Sequence, residues 1–323
     1  MHIYIFFYTF AADLEATRTY YTVAEHLFAI ECSQPSLLSQ MANYEPFLTS
    51  TSISNDNDAI FLLHIEQHGL LCSDARLAYQ HLFTDNSEED MPRIEVYQSN
   101  QATTQEARWL MRVAMVANAP ICCEIECDAD FTKGTLHIAN DCPDIHFCID
   151  NALMLLYAFR SAPLMTLEMH AAVVVRGDEA EAYLFLGHSG TGKSTHARQW
   201  LQAFPDAWLL NDDNPILRVM HNGEVRVYGS PWSGKTPCYK NAHARVGGIV
   251  KLSQAPHNLL HPLSLPQAYA YILSSASGLK IDQQMANHLY QSIKHVIMHV
   301  PCYHLECLPN TDAAEVCYKG IKR

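Results

Sequence analysis

Apolar and polar positions alternate over short stretches along much of this chain, and the pattern predicts more strands than helices in its first half. Residues 3–10, 59–66, 94–98 and 121–127 read as strands, while Leu110, Val113 and Ala114 recur at helical spacing and predict a helix over 104–117. The acidic stretch 85–90 reads as a solvated loop. Residues 140–144 read as a turn that divides the chain into 1–143 and 144–323. Beyond that turn, 149–159 predicts a helix rich in Leu and Ala. The apolar stretches 169–175 and 180–186 flank Gly177-Asp178, and 216–220 and 224–228 flank Asn222-Gly223, so each pair predicts a hairpin. A helix over 194–204, a strand over 246–252, helices over 265–273 and 283–298, a strand over 302–307 and a last helix from Asp312 complete the reading. The sum is a mixed α/β chain: a smaller α+β N-terminal domain of unassigned role, then a domain with a mixed β-sheet core and helices.

Composition narrows the classes of function. The chain has 323 residues, 49% hydrophobic and 17% charged, an ordinary globular balance. Its formal net charge of −13, with no basic block, argues against nucleic acid or an anionic membrane surface as the partner. No stretch reaches the ~20 apolar residues that span a bilayer. The apolar start Met1-His2-Ile3-Tyr4 lacks a basic leader and is soon followed by Asp13 and Glu15, so it reads as a first strand rather than a signal peptide, and a cytoplasmic location is expected. Eleven cysteines raise the question of a metal, but no Cys-x2-Cys pair occurs. The thiols therefore read as small core residues, and their odd number argues against a complete disulfide framework. His64 and His68 sit four apart, but within a strand-like pattern, which does not bring two such side chains together as a helix would.

One segment carries specific chemistry. Residues 187–195 read Gly187, His188, Ser189, Gly190, Thr191, Gly192, Lys193, Ser194, Thr195, with an apolar strand before them and a helix after. Glycines at this spacing let the backbone curl so that its N–H groups face phosphate oxygens. The helix adds its positive N-terminal end, Lys193 reaches the outer phosphates, and the Ser194 hydroxyl is placed to ligate Mg²⁺. The predicted ligands are thus ATP and Mg²⁺, with Gly187, Ser189, Gly190, Thr191, Gly192, Lys193, Ser194 and Thr195 as the nucleotide-binding set. Nineteen positions after Lys193, an apolar run ends in Asp212-Asp213. Two adjacent acids suit a division of labour, one orienting the metal and one taking the proton of an attacking hydroxyl. The pattern alone leaves open which of the two acids takes which task. His170, at the head of the strand before the first hairpin, is a candidate partner for the acid pair. A second loop, 229–235, combines two glycines, two serines and Lys235. That lysine, with Lys240 and Arg245, is a candidate second cation on the transferring group.

Taken together, His170 before an apolar strand, the Gly-x-Ser-Gly-x-Gly-Lys-Ser loop and Asp212-Asp213 after the next apolar run resemble the C-terminal catalytic domain of HPr kinase/phosphorylase. The resemblance covers roughly residues 149–314. It looks closest to a divergent branch, with Gly-Ser-Pro-Trp-Ser-Gly-Lys in the second loop, whose members are often labelled phosphoenolpyruvate carboxykinase. It implies a P-loop core of the phosphoenolpyruvate-carboxykinase type. It implies an ATP-dependent serine kinase with Asp212 as general base, supported by His170, with Ser194 and Asp213 on the metal, and phosphorolysis as its reversal. It also leaves a ring-like homo-oligomer open. The family's Glu-containing segment with its Arg-Gly-Leu-Gly run is absent, and the 229–235 loop stands in its place. The expected acceptor is therefore a serine-bearing protein or peptide that need not be HPr. A small-molecule kinase, with the N-terminal region as a lid over a metabolite, and a nucleotide-sensing module without turnover are the alternatives.

Overall fold

A computed structural model describes residues 17–34, 37–38, 41–49, 58–66, 69–85, 91–99, 108–177, 180–234 and 236–322. Among these, two mixed β-sheets form the framework, with few helices. The first sheet is built from β1 (Thr17–Val23), β2 (His26–Cys32), β3 (Leu62–Glu66), β4 (Tyr79–Asp85), β5 (Arg93–Ser99), β6 (Trp109–Ala114), β7 (Ile121–Cys127) and β8 (Lys133–Ile138), in the order β1-β2-β3-β8-β7-β6-β5-β4. Its β2–β3 and β3–β8 pairs are parallel and the others antiparallel.

The second sheet holds β9 (Thr166–Glu168), β10 (Ala171–Arg176), β11 (Glu181–Leu186), β12 (Trp208–Asp213), β13 (Ile216–Val219), β14 (Val225–Tyr228), β15 (His243–Gln254), β16 (Leu259–Pro262) and β17 (Cys302–Cys307). Its main path runs β12-β10-β11-β15-β14-β13-β9, and β17 joins β15 to β16. Side chains alternate between two cores. Val173, Val175, Leu184 and Leu186 face one, and Ala172, Val174, Tyr183 and Phe185 face the other. Helices α3 (Leu265–Ser275) and α4 (Gln283–His299) cover the first face through Ile272, Leu289, Ile293 and Val296. Helices α2 (Lys193–Ala203) and α5 (Thr311–Ile321) cover the second through Trp200, Ala314 and Cys317. Strands covered on both faces need no polar alternation, which is why β10 and β11 read as nearly unbroken apolar runs.

Between the sheets runs α1 (Ile145–Ser161), capped by Asp144, whose carboxylate accepts from the Phe147 N–H at 3.0 Å. Its buried face, including Ile149, Leu153, Leu156 and Tyr157, shares one core with Phe28, Leu63, Ile125 and Leu136 of the first sheet. Ile216, Tyr228, Trp232 and Leu279 join the same core from the second half. The core therefore runs across the turn at 140–144, and the first helix after that turn packs on the sheet before it.

The helix expected over 104–117 is a correction. Residues 109–114 form β6, paired with β5 and β7, and 104–107 lie outside the described residues. Five of the six β6 residues are buried, so an interior strand imitates helical spacing when both of its faces are covered. The expected strand 3–10, His68 and most of the acidic stretch 85–90 lie outside the described residues as well. Among the described residues, no helix is long and apolar enough to cross a membrane.

Candidate functional site

The strand β11 ends at Leu186, and the chain turns through 187–192 into α2. Gly190 at φ +73° and Gly192 at φ +106° take the left-handed conformation that side chains disfavour. Gly187 answers a different need, since a Cβ there would lie 2.9 Å from the Thr191 side chain. Residues 188–190 are exposed, so this loop is open to a ligand. Ser189 sits in the loop, and Thr195 lies half-buried in the first turn of α2. Strand, glycine loop and helix N-terminus thus follow in the order that suits a phosphate-binding loop, and within the loop the Thr191 N–H donates to the His188 carbonyl at 3.2 Å.

The strand order then brings the rest of the site to this loop. The strand β10 lies between β11 and β12, with Ala171 opposite Asp213 and Ala172 opposite Asp212. Residues 170 and 213 are thereby neighbours across two strand ends. Ser194 donates from Oγ to Asp212 Oδ1 at 2.9 Å. His170 Nε2 lies 3.0 Å from Asp213 Oδ1 and 2.9 Å from Lys193 Nζ. Lys193 also donates to the carbonyls of Gly187 at 3.0 Å and His188 at 3.4 Å. One imidazole nitrogen thus faces both an ammonium and a carboxylate. It accepts from Lys193 when bare and donates to Asp213 when protonated, so the two partners compete for it.

His170, expected as a partner of the acid pair, meets Asp213, whereas the family resemblance implies Asp212. Asp212 is buried beside Ser194 and Asp213 is about one-third exposed. Hydroxyl and carboxylate oxygens are the hard donors that Mg²⁺ prefers, and Ser194 with Asp212 presents both within one contact. Asp213 also holds an unusual backbone, φ +134°, at the strand end.

The loop at 229–234 closes over this strand end. Gly234 N–H and Ser233 Oγ donate to the Asp212 carbonyl at 2.7 and 3.1 Å. Ser230, fully buried, bonds the carbonyls of Asn214 and Trp232 at 2.6 and 2.9 Å. Trp232 Nε1 donates to Tyr44 Oη at 2.8 Å, which ties the loop to the first half of the chain. The loop buttresses the acid pair. Lys235 lies outside the described residues. The other two candidate cations point elsewhere. Lys240 bonds the Leu209 carbonyl at 2.7 Å beside the Trp208 ring, and Arg245 pairs with Glu181 at the far end of β11.

Two residues that the sequence reading passed over stand at the site. Lys251 sits opposite Leu186 in β15, and burial lowers its ammonium below the usual lysine range. Its signal was a lysine inside an otherwise apolar strand. Glu168, in β9, is 1% exposed, and among the described residues neither carboxyl oxygen has a hydrogen-bond partner. Burial first, and Asp213 second, push it up to about 8. An acid between Leu167 and Met169 in a short buried strand was the available signal. Both residues line a cleft of about 890 Å³ together with His170, Gly187, His188 and Asp213. Phe83, Ile94, Val96, Met154 and Leu155, from the first sheet and α1, form its apolar side. No protein-family model matches the chain, and no curated protein matches it either.

Proposed function

We propose that this chain is an ATP-dependent phosphotransferase of the HPr kinase/phosphorylase type, with a P-loop core of that family. The contact that carries the reading is Ser194 Oγ to Asp212 at 2.9 Å, with Lys193, His170 and Asp213 arrayed beside it at the end of a strand, glycine loop and helix. The loop amides and Lys193 would hold the ATP phosphates, and Ser194 and Asp212 would hold Mg²⁺. Bound there, the cation offsets the negative charge of the phosphate oxygens. Geometry favours exchanging the two acids relative to what the family resemblance implies: Asp212 on the metal side and Asp213, beside His170, as base. In the reaction the acceptor hydroxyl gives its proton to the Asp213 carboxylate while its oxygen bonds the γ-phosphorus. The bond from that phosphorus to the β-bridging oxygen breaks, and ADP leaves with the electron pair.

A serine of a protein or peptide is the acceptor that the family resemblance supports. The cleft favours a second reading, a small hydroxylated metabolite, because its volume falls within the range of small-molecule pockets and apolar side chains wall it. The sensor alternative leaves the second acid and its histidine without a task. The test is γ-labelled ATP turnover, with water or a candidate acceptor, in four proteins. Lys193→Ala should abolish ATP binding. Asp213→Asn should keep ATP and Mg²⁺ binding and lose at least ~10²-fold in transfer. Asp212→Asn should raise the Mg²⁺ concentration required. Unchanged transfer by Asp213→Asn overturns the base assignment, and undiminished ATP binding by Lys193→Ala overturns the whole reading.

A further inference from the structure

The thiols of Cys122, Cys142 and Cys148 come from three separate elements: β7, the turn before α1, and the first half of α1. Their sulfurs all lie within 4.8 Å of one another, and Cys142 Sγ is 3.4 Å from Cys148 Sγ. Cys148 also interacts with Cys123, the residue next to Cys122. The register explains how two adjacent strand residues serve one cluster. Val113 pairs with Cys123 and Ala114 with Ile121, so Cys122 is the extra residue of a β-bulge. A bulge re-aims a side chain that strict alternation would send to the opposite face.

We propose that Cys122, Cys142 and Cys148 form a thiolate site for a zinc ion, which fastens the N-terminal part of α1 to β7. Three sulfurs bound tetrahedrally at about 2.3 Å from zinc stand about 3.8 Å apart, close to the 3.4 Å between Cys142 and Cys148 and inside the 4.8 Å that contains all three. A single disulfide would engage two of the sulfurs and leave the convergence of the third without a purpose. The fourth position falls to Cys123 or to water, and half-exposed Cys142 gives the ion a way in. Zinc binds thiolates, so each thiol that joins the ion gives up its proton as its sulfur–metal bond forms, with no change of oxidation state. The spacing, nineteen residues and then five, matches no short zinc motif, so the sequence reading took these thiols for core residues. This site stands independently of the phosphotransferase reading. It bears on that reading through the residues that α1 contributes to the cleft, Phe147, Asp150, Asn151, Met154, Leu155 and Phe159.

The test is native mass spectrometry of the full chain purified under reducing conditions, with zinc content measured by elemental analysis. One zinc per chain is expected in wild type and in the control Cys72→Ser, whose thiol lies outside the cluster, and none in Cys142→Ser. Replacement of zinc by Co²⁺ should give thiolate-to-cobalt charge-transfer absorption, which Cys142→Ser also loses. Because Cys142 is partly exposed, that variant is expected to fold, and its circular dichroism checks this; should it unfold, the wild-type zinc content and cobalt spectrum decide. Wild-type protein without zinc, with no charge-transfer band on Co²⁺ addition, overturns the proposal, and so does a Cys142–Cys148 disulfide in the reduced preparation.

Discussion

Glu168 keeps its carboxyl in a buried strand with no hydrogen-bond partner among the described residues, and burial, with Asp213 nearby, pushes it up to about 8. Unfolded, the same group ionises near 4.5. Below 4.5 both states hold the proton. Between 4.5 and about 8 the unfolded chain releases it and the folded chain keeps it, so stability falls as pH rises through that window. The interval corresponds to ~5 kcal/mol at most. We expect wild-type stability, measured by urea unfolding without nucleotide, to decline from pH 5 to pH 9, and Glu168→Gln to flatten much of that decline. An equally steep decline in the variant would place the titrating group elsewhere. His196, buried in α2 with Trp200 Nε1 donating to its Nε2 at 3.0 Å, is held neutral down to about 4. Its sign is opposite. Stability is present above pH 6.5 and is lost as pH falls toward 4, and His196→Gln should lessen that acid loss. Neither residue stood out in the sequence, because a titratable side chain shows its environment only after packing.

At the level of elements, the strand, glycine loop and helix at 181–203 were legible because local chemistry dictates them. Both hairpins were legible too, from Gly177 and from Asn222-Gly223. The strand order was not. Nothing in the chain announces that β12 pairs with β10, and that pairing alone puts His170 beside Asp213. The helix wrongly expected at 104–117 failed for a related reason, since burial on both faces erases the period that separates strand from helix. The loop at 229–234 was visible as turn chemistry, but its task was not. A Cβ at Gly229 would stand 2.0 Å from the Lys240 carbonyl oxygen, a backbone atom that cannot easily yield. We therefore expect Gly229→Ala to cost ~3 kcal/mol in denaturant unfolding. On the proposed phosphotransferase reading it should also weaken ATP turnover more than ATP binding, since the loop supports Asp212 and Asp213 from behind. A variant as stable as wild type would show that the loop shifts freely.

For the molecule as a whole, α1 decides how far the two halves can be treated apart. Its apolar face lies on the first sheet, while the chain it leads into builds the second. A fragment of residues 144–323 should therefore expose Ile149, Leu153, Leu156 and Tyr157. We expect it to aggregate or to bind a hydrophobic dye strongly, and the full chain to unfold in one transition by near-UV dichroism and by tryptophan fluorescence. A well-behaved 144–323 fragment that binds ATP would make the turn at 140–144 a true boundary. The shared helix also has an evolutionary consequence. A protein whose roof and floor were separate modules can change its target by trading one module for another. Here the exchange would tear out the common interior, so a lineage with this fold must alter what it recognises by single replacements along the cleft, at positions such as Phe83, Ile94 or Met154.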